Sequence, residues 1–241
     1  MSNEQRVKNL TLCRIEYIVF LVIFALYSFA AYQRNKVWED DFTLCSDAVA
    51  KSPFKARPYN GLLIGLARNG LYHEAVEAGR RAVQLDPFFG RAYVNLSGIL
   101  GELGRYDESI MNIRKAISID PDNANAYHNL GVIYLKTGKY SDAIEASSKA
   151  IFFNPYYADA YCNLGVAYVQ TNEYGKGINA FKKAIEINPD LLKAYDNLGT
   201  IYIRLGLYAE AVKILETVLL DHPDYTEAKE NLAIAKSKLR G

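Results

Sequence analysis

Residues 124–157 read ANAYHNLGVIYLKTGKYSDAIEASSKAIFFNPYY, and this stretch decides the fold. Tyr127, Leu130, Gly131 and Tyr134 stand at its fourth, seventh, eighth and eleventh positions, a spacing that gathers them on one helical face. Gly138 is the residue type that a left-handed helix C-cap requires. A second helix begins near Tyr140, and Pro155 ends it, because proline can neither donate to the hydrogen-bond ladder nor continue it. Proline recurs every 34 residues, at Pro53, Pro87, Pro121, Pro155, Pro189 and Pro223, and only Pro58 stands outside the series. A period of 34 is one helix–turn–helix unit of a stacked array. The fold class expected is therefore an all-α solenoid.

Aligned on proline, the units are 56–89, 90–123, 124–157, 158–191 and 192–225, and residues 226–241 supply one more helix as a C-terminal cap. The fourth position is Tyr59, Tyr93, Tyr127, Tyr161 and Tyr195; the seventh is Leu62, Leu96, Leu130, Leu164 and Leu198. The eighth is Gly131, Gly165 and Gly199 in the last three units but Leu63 and Ser97 in the first two. Gly70, Gly104, Gly138, Asn172 and Gly206 mark the turn, followed by Tyr72, Tyr106, Tyr140, Tyr174 and Tyr208. Small residues come next where the helices cross: Ala75, Ser109, Ala143, Gly177 and Ala211. A second small set is Ala82, Ala116, Ala150 and Ala184, with Val218 in the last unit.

The pattern Tyr-x-x-Leu-Gly-x-x-Tyr, small, small, Pro over residues 56–225 resembles the tetratricopeptide repeat (TPR) family, which implies a right-handed superhelix of helical hairpins with a concave binding groove. Thirteen of the 19 tyrosines belong to this pattern, so most of their rings are expected in the core between repeats. In the capping helix Leu232 and Ala233 are expected to pack, with Glu227, Lys229, Glu230, Lys236 and Lys238 on the solvent side.

Composition excludes several functions. Lys and Arg number 28 against 27 Asp and Glu, so no field of one sign recruits nucleic acid. Cys13, Cys45 and Cys162 form no CxxC, His73, His128 and His222 are scattered, and no metal site is expected. No nucleophile–base pair, phosphate-cradling loop or carboxylate pair is evident, so neither catalytic residues nor cofactors nor a small-molecule substrate are expected.

Residues 1–14 form a polar tail, and Tyr17 to Gln33 then carry no charge. A helix is expected over residues 15–33; its 17 uncharged residues cover roughly 25 Å at 1.5 Å per residue, a little short of the ~30 Å of a bilayer core. Arg14 and Arg34 flank it, and Tyr17 and Tyr32 sit at interfacial depth. A single membrane-spanning helix is expected, with the repeats on the extracytoplasmic side. A cleaved signal peptide ending at Ser28-Phe29-Ala30, and a buried helix, are the alternatives. Residues 34–55 follow as a junction half-repeat, with residues 37–52 in the place of a second helix. Tyr32–Asn35, Trp38, Lys51–Pro53 and Ala56–Asn60 resemble the junction between the last membrane helix and the TPR tail of O-mannosyltransferase-like membrane proteins. That resemblance implies a layout, not transferase activity.

The sixth position holds Asn95, Asn129, Asn163 and Asn197, continued by Asn231 in the capping helix, while the first unit has Gly61 there and Asn60 one place earlier. Each amide offers two donors and an acceptor, so a stacked row can bind the backbone of an extended peptide, as in the groove of O-linked N-acetylglucosamine transferase, which it resembles. A purely structural row is the alternative. Position 2 runs Arg57, Arg91, Asn125, Asp159, Lys193, Glu227, basic at the N-terminal end and acidic farther out; Arg57 and Arg91, with Asn95, are a candidate anion contact, and plain solvated charges are the alternative. The function expected is a membrane-anchored scaffold binding a protein or extended peptide. The alternative is a non-catalytic TPR subunit or fragment of a glycosyltransferase-like membrane system.

Overall fold

The computed structural model describes residues 22–24, 27–29 and 41–240. Between Asp41 and Arg240 run twelve α-helices and no strand. They are α1 (Asp41–Lys51), α2 (Ala56–Arg68), α3 (Tyr72–Leu85), α4 (Gly90–Glu102), α5 (Tyr106–Ile119) and α6 (Ala124–Lys136). The remainder are α7 (Tyr140–Phe153), α8 (Ala158–Gln170), α9 (Tyr174–Ile187), α10 (Leu192–Arg204), α11 (Tyr208–Asp221) and α12 (Thr226–Arg240). Even-numbered helices are the first of each hairpin (A) and odd-numbered ones the second (B).

Two local devices repeat along the chain. After each A helix the backbone turns through a left-handed residue, Gly70, Gly104, Gly138 and Gly206 at φ 72–76° and Asn172 at 62°. The next amide then bonds back to the helix, as Leu71 N–H does to Leu66 O at 3.0 Å and Glu173 N–H to Tyr168 O at 2.8 Å. This satisfies carbonyls that the helix end leaves open. After three B helices the residue before proline closes the turn with its side chain, Asp86 accepting from Phe88 N at 3.0 Å, Asn154 from Tyr156 N at 3.2 Å and Asn188 from Asp190 N at 3.1 Å.

Within a hairpin the helices cross so closely that only one of two facing side chains can be large. A Cβ at Gly165 would lie 2.5 Å from the Phe181 ring, and one at Gly199 would lie 2.7 Å from Leu215 Cδ2. The first hairpin reverses the arrangement, with Leu63 on α2 and Gly79 on α3, where a Cβ would lie 2.5 Å from Leu63 Cδ1. The departure of Leu63 from the glycine pattern is therefore compensated on the opposite helix. In the second hairpin those two places hold Ser97 and Ile113, both fully buried. In the third, Gly131 faces Ser147, whose buried hydroxyl lacks a partner among the described residues.

The expected small positions are buried, Ala75, Ser109, Ala143 and Ala211 among them. An unforeseen set joins them at the third place of the A helices: Ala92, Ala126, Ala160, Ala194 and Ala228, all at zero exposure. The tyrosines frame this core more than they fill it. Of the thirteen, only Tyr195 and Tyr202 are buried, Tyr72 is exposed and the rest are half-buried. The phenol keeps one edge wet, as an amphipathic ring does.

At the C-terminal end α12 packs through Ala228, Leu232 and Ala235, at i, i+4 and i+7, whereas Ala233 is exposed. One helical face dictates that spacing. At the other end α1 lies on α2 in the place of a B helix. Gly61 and Gly65 permit the approach, since added Cβ atoms would meet Cys45 Sγ at 2.7 Å and the Phe42 Cα at 3.1 Å.

Leu63→Gly should lower stability by about 3 kcal/mol or more, and Gly79→Leu by about 1–3 kcal/mol. The double variant should fall short of the sum by about 0.5–3 kcal/mol. Urea-unfolding midpoints measure this, and strict additivity would show that the two side chains do not share one space.

Candidate functional site

Each A helix touches the A helix of the next hairpin, from α2 through α12, whereas no two B helices approach one another. The A helices therefore line the inner wall of the curve and the B helices its outer wall. Position 6 of each A helix points its amide along this inner wall. There it meets the fifth-position residue of the preceding unit, 35 residues earlier. Asn95 Nδ2 donates to Asn60 Oδ1 at 2.9 Å, Asn129 Nδ2 to Val94 O at 3.3 Å, and Asn163 Nδ2 to His128 Nδ1 at 3.3 Å. Asn197 Nδ2 lies 3.5 Å from Cys162 Sγ, and Asn231 Nδ2 donates to Asp196 Oδ1 at 2.6 Å and Thr200 Oγ1 at 3.3 Å. The row is thus stitched rung to rung.

The stitching uses part of each amide. Asn95, Asn129, Asn163, Asn197 and Asn231 are all half-buried, and no described residue donates to their Oδ1 atoms. Asn95 and Asn129 line two neighbouring clefts of about 400 and 370 Å³. Asn60 is the acceptor of the first bond, not a displaced rung. The fifth-position partners, Asn60, Val94, His128, Cys162 and Asp196, escaped the sequence analysis because five residue types in five units leave no periodic signal.

Beside the row, Arg57 and Arg91 are exposed and line a common cleft of about 690 Å³ with Asn60, Asp120 and Asn123. Farther along, Lys193 Nζ meets Asp159 at 2.6 Å. Between these zones the His128 ring stacks on Tyr157 at 4.7 Å, and the Tyr157 hydroxyl donates to Asn125 Oδ1 at 2.9 Å. Burial, aided by Asp159, pushes the Tyr157 phenol up to about 12, and burial pushes the Cys162 thiol upward. Among the described residues no three of His, Cys, Asp and Glu gather as a metal site.

The expected membrane span lies largely outside the described residues. Its described pieces, 22–24 and 27–29, are helical and expose Val22, Ile23, Phe24, Tyr27 and Phe29. Among the described residues no helix is long and apolar enough to cross a membrane.

The hairpin geometry agrees with the fold of the proteins that this chain is similar to. The TPR repeat family matches residues 99–138 and 133–172, and the tetratricopeptide repeat matches 158–191 and 180–213. Residues 99–213 are tetratricopeptide repeats. From α1 to α12 the described chain has the all-α TPR solenoid fold. The crystal structure of MamA is 28% identical, with a TM-score of 0.56 over 73% of this chain and 95% of that one. A thermophilic TPR protein of Thermus thermophilus is 21% identical, with a TM-score of 0.63 over 75% and 98%. YrrB, described as a TPR protein with an unusual peptide-binding site, is 19% identical, with a TM-score of 0.57 over 77% and 96%. No curated protein matches. The family matches begin at residue 99 and so do not touch the junction likened to O-mannosyltransferase-like proteins.

Burial holds the His128 imidazole of this TPR groove below its ordinary value of 6.5, with Asp159 acting in the opposite sense. The unfolded chain then takes up the proton first, so the stability contributed by the neutral ring is complete above pH 6.5 and declines as pH falls below it. His128→Asn should show a smaller loss of melting temperature between about pH 7.5 and pH 5.5 than the parent. Equal losses would show that His128 titrates alike in both states.

Proposed function

We propose that this protein is a non-catalytic, membrane-anchored scaffold holding an extended segment of a partner protein along its inner asparagine row. The observation that carries this reading is the half-committed amide. One Nδ2–H of Asn95, Asn129, Asn163 and Asn197 ties two repeats together, leaving a second N–H and the Oδ1 with no partner among the described residues, while Asn231, which also donates to Thr200 Oγ1, keeps its Oδ1. An extended chain presents alternating N–H and C=O groups, the complement of that surface, so the row can grip a backbone without reading its side chains. TPR folds in general act as protein-binding scaffolds, which supports the class of partner.

The anchor is the uncharged run from Tyr17 to Gln33. The repeats then lie on the extracytoplasmic side, by the balance of Arg6, Lys8 and Arg14 against Arg34 and Lys36. Full-length protein should resist carbonate extraction, and deletion of residues 1–34 should release it. Intact protein lacking Met1 to Ala30 by mass spectrometry would identify a cleaved signal peptide instead.

Asn129, Asn163 and Asn197 replaced together by Ala should abolish most partner binding. Lost hydrogen bonds of about 0.5–1.5 kcal/mol each correspond to roughly one to three orders of magnitude in affinity for three rungs. Because the rungs also join repeats, stability should fall modestly, so binding is measured well below the melting transition. The partner is whatever detergent-solubilised full-length protein captures and the triple variant does not. A folded triple variant that captures the same proteins equally well would leave the row with a structural role alone.

A further inference from the structure

An amide row reads no sequence, so selection of a segment falls to the groups beside it. Their charges are ordered along the groove. At the N-terminal end Arg57 and Arg91 are exposed, and no described carboxylate lies within ion-pair distance of either. Asp120 is the one carboxylate of their shared cleft, and it is engaged by Asn123 Nδ2 at 2.9 Å. In the middle, Asp159 and Lys193 cancel at 2.6 Å. At the far end Asp196 accepts from Asn231, and neither Asp196 nor exposed Glu227 has a cationic partner among the described residues. Elsewhere on the A helices Glu102 pairs with Lys136 at 2.9 Å, and Arg204 lies over the Tyr174 ring at 5.3 Å.

Burial holds the Asp196 carboxyl above its usual range, against the opposing bond from Asn231. The Tyr225 phenol is pushed up to about 12 by burial and by the fields of Asp196 and Glu227. A cation bound there would relieve both groups, just as an anion between Arg57 and Arg91 would complete a cleft lined by two guanidinium groups.

We propose that the groove accepts its segment in one direction only, with acidic side chains of the partner between Arg57 and Arg91 and basic side chains over Asp196 and Glu227. This rests on the groove-binding reading above. The amides supply contact without polarity, and the ordered charges supply polarity, since a reversed segment sets like charges against each other at both ends.

The test is selection from a displayed library of random 20-residue peptides, blocked at both termini, on the full chain in detergent micelles. Enriched peptides should carry Asp or Glu toward one end and Lys or Arg toward the other, in a single order. A synthetic peptide of that order should bind at least about tenfold more tightly than its charge-reversed counterpart. Arg57→Glu with Arg91→Glu should erase the preference at the acidic end alone. Asp196→Asn with Glu227→Lys should erase it at the basic end alone, and Glu227→Lys by itself should weaken it without touching a half-buried residue. The triple asparagine variant should lower binding of all peptides and keep the order. Enriched peptides without charge order, or an order that survives both charge variants, would overturn the proposal while leaving groove binding in place. Absence of any enrichment above the triple asparagine variant would remove the groove reading itself, and this proposal with it.

Discussion

The array depends on how closely the two helices of a hairpin cross, which forbids two large side chains at the facing positions. The constraint applies to a sum of volumes and not to a residue type. Gly165 with Phe181, Gly199 with Leu215 and, in reverse, Leu63 with Gly79 are three ways of meeting it. Interiors pack like crystals of small molecules, so one surplus methylene at such a crossing is felt through the backbone. Successive hairpins stack at a common offset, and the A helices come into contact along one wall.

That common offset is what turns single asparagines into a row. Each Nδ2 falls within reach of the residue 35 positions earlier, whatever that residue is: an amide, a carbonyl, an imidazole, a thiol or a carboxylate. Amides suit this task because they donate to any of these acceptors and retain further capacity. Structural and recognition roles are therefore not alternatives for these residues. The bond to the neighbouring repeat orients the amide, and an oriented amide loses less entropy when a ligand binds.

The groove is not uniform along its length. His128, Tyr157 and Asn125 make a polar, aromatic patch in its middle, held by a ring stack and a hydroxyl–amide bond. On one side lie the arginines of the first two A helices, and on the other the carboxylates near α12. Close pairing of Asp159 with Lys193 keeps the centre neutral, so the field along the wall is set by its ends. At physiological ionic strength the Debye length is about 8 Å, and charges at one end act on what lies beside them with little effect on the other.

The sequence by itself determined the hairpins, because helix period, turn residue and terminating proline are local requirements repeated every 34 residues. Even the exception at Asn172 was legible, since asparagine is among the few residues that tolerate the positive φ found there. The small residues at the crossings followed from the same period. Tertiary structure decided the rest. The tyrosines shared one pattern yet differ in burial, as Tyr72 and Tyr202 show, because burial depends on which neighbour covers the ring. Ala228 and Ala235, not Ala233, seat the last helix, since the rotation of that helix is set by the surface it meets. Position 6 was visible as a row of asparagines, but its bonds were not. A contact across 35 residues depends on the stacking offset of whole hairpins, which packed volumes fix and no local spacing records.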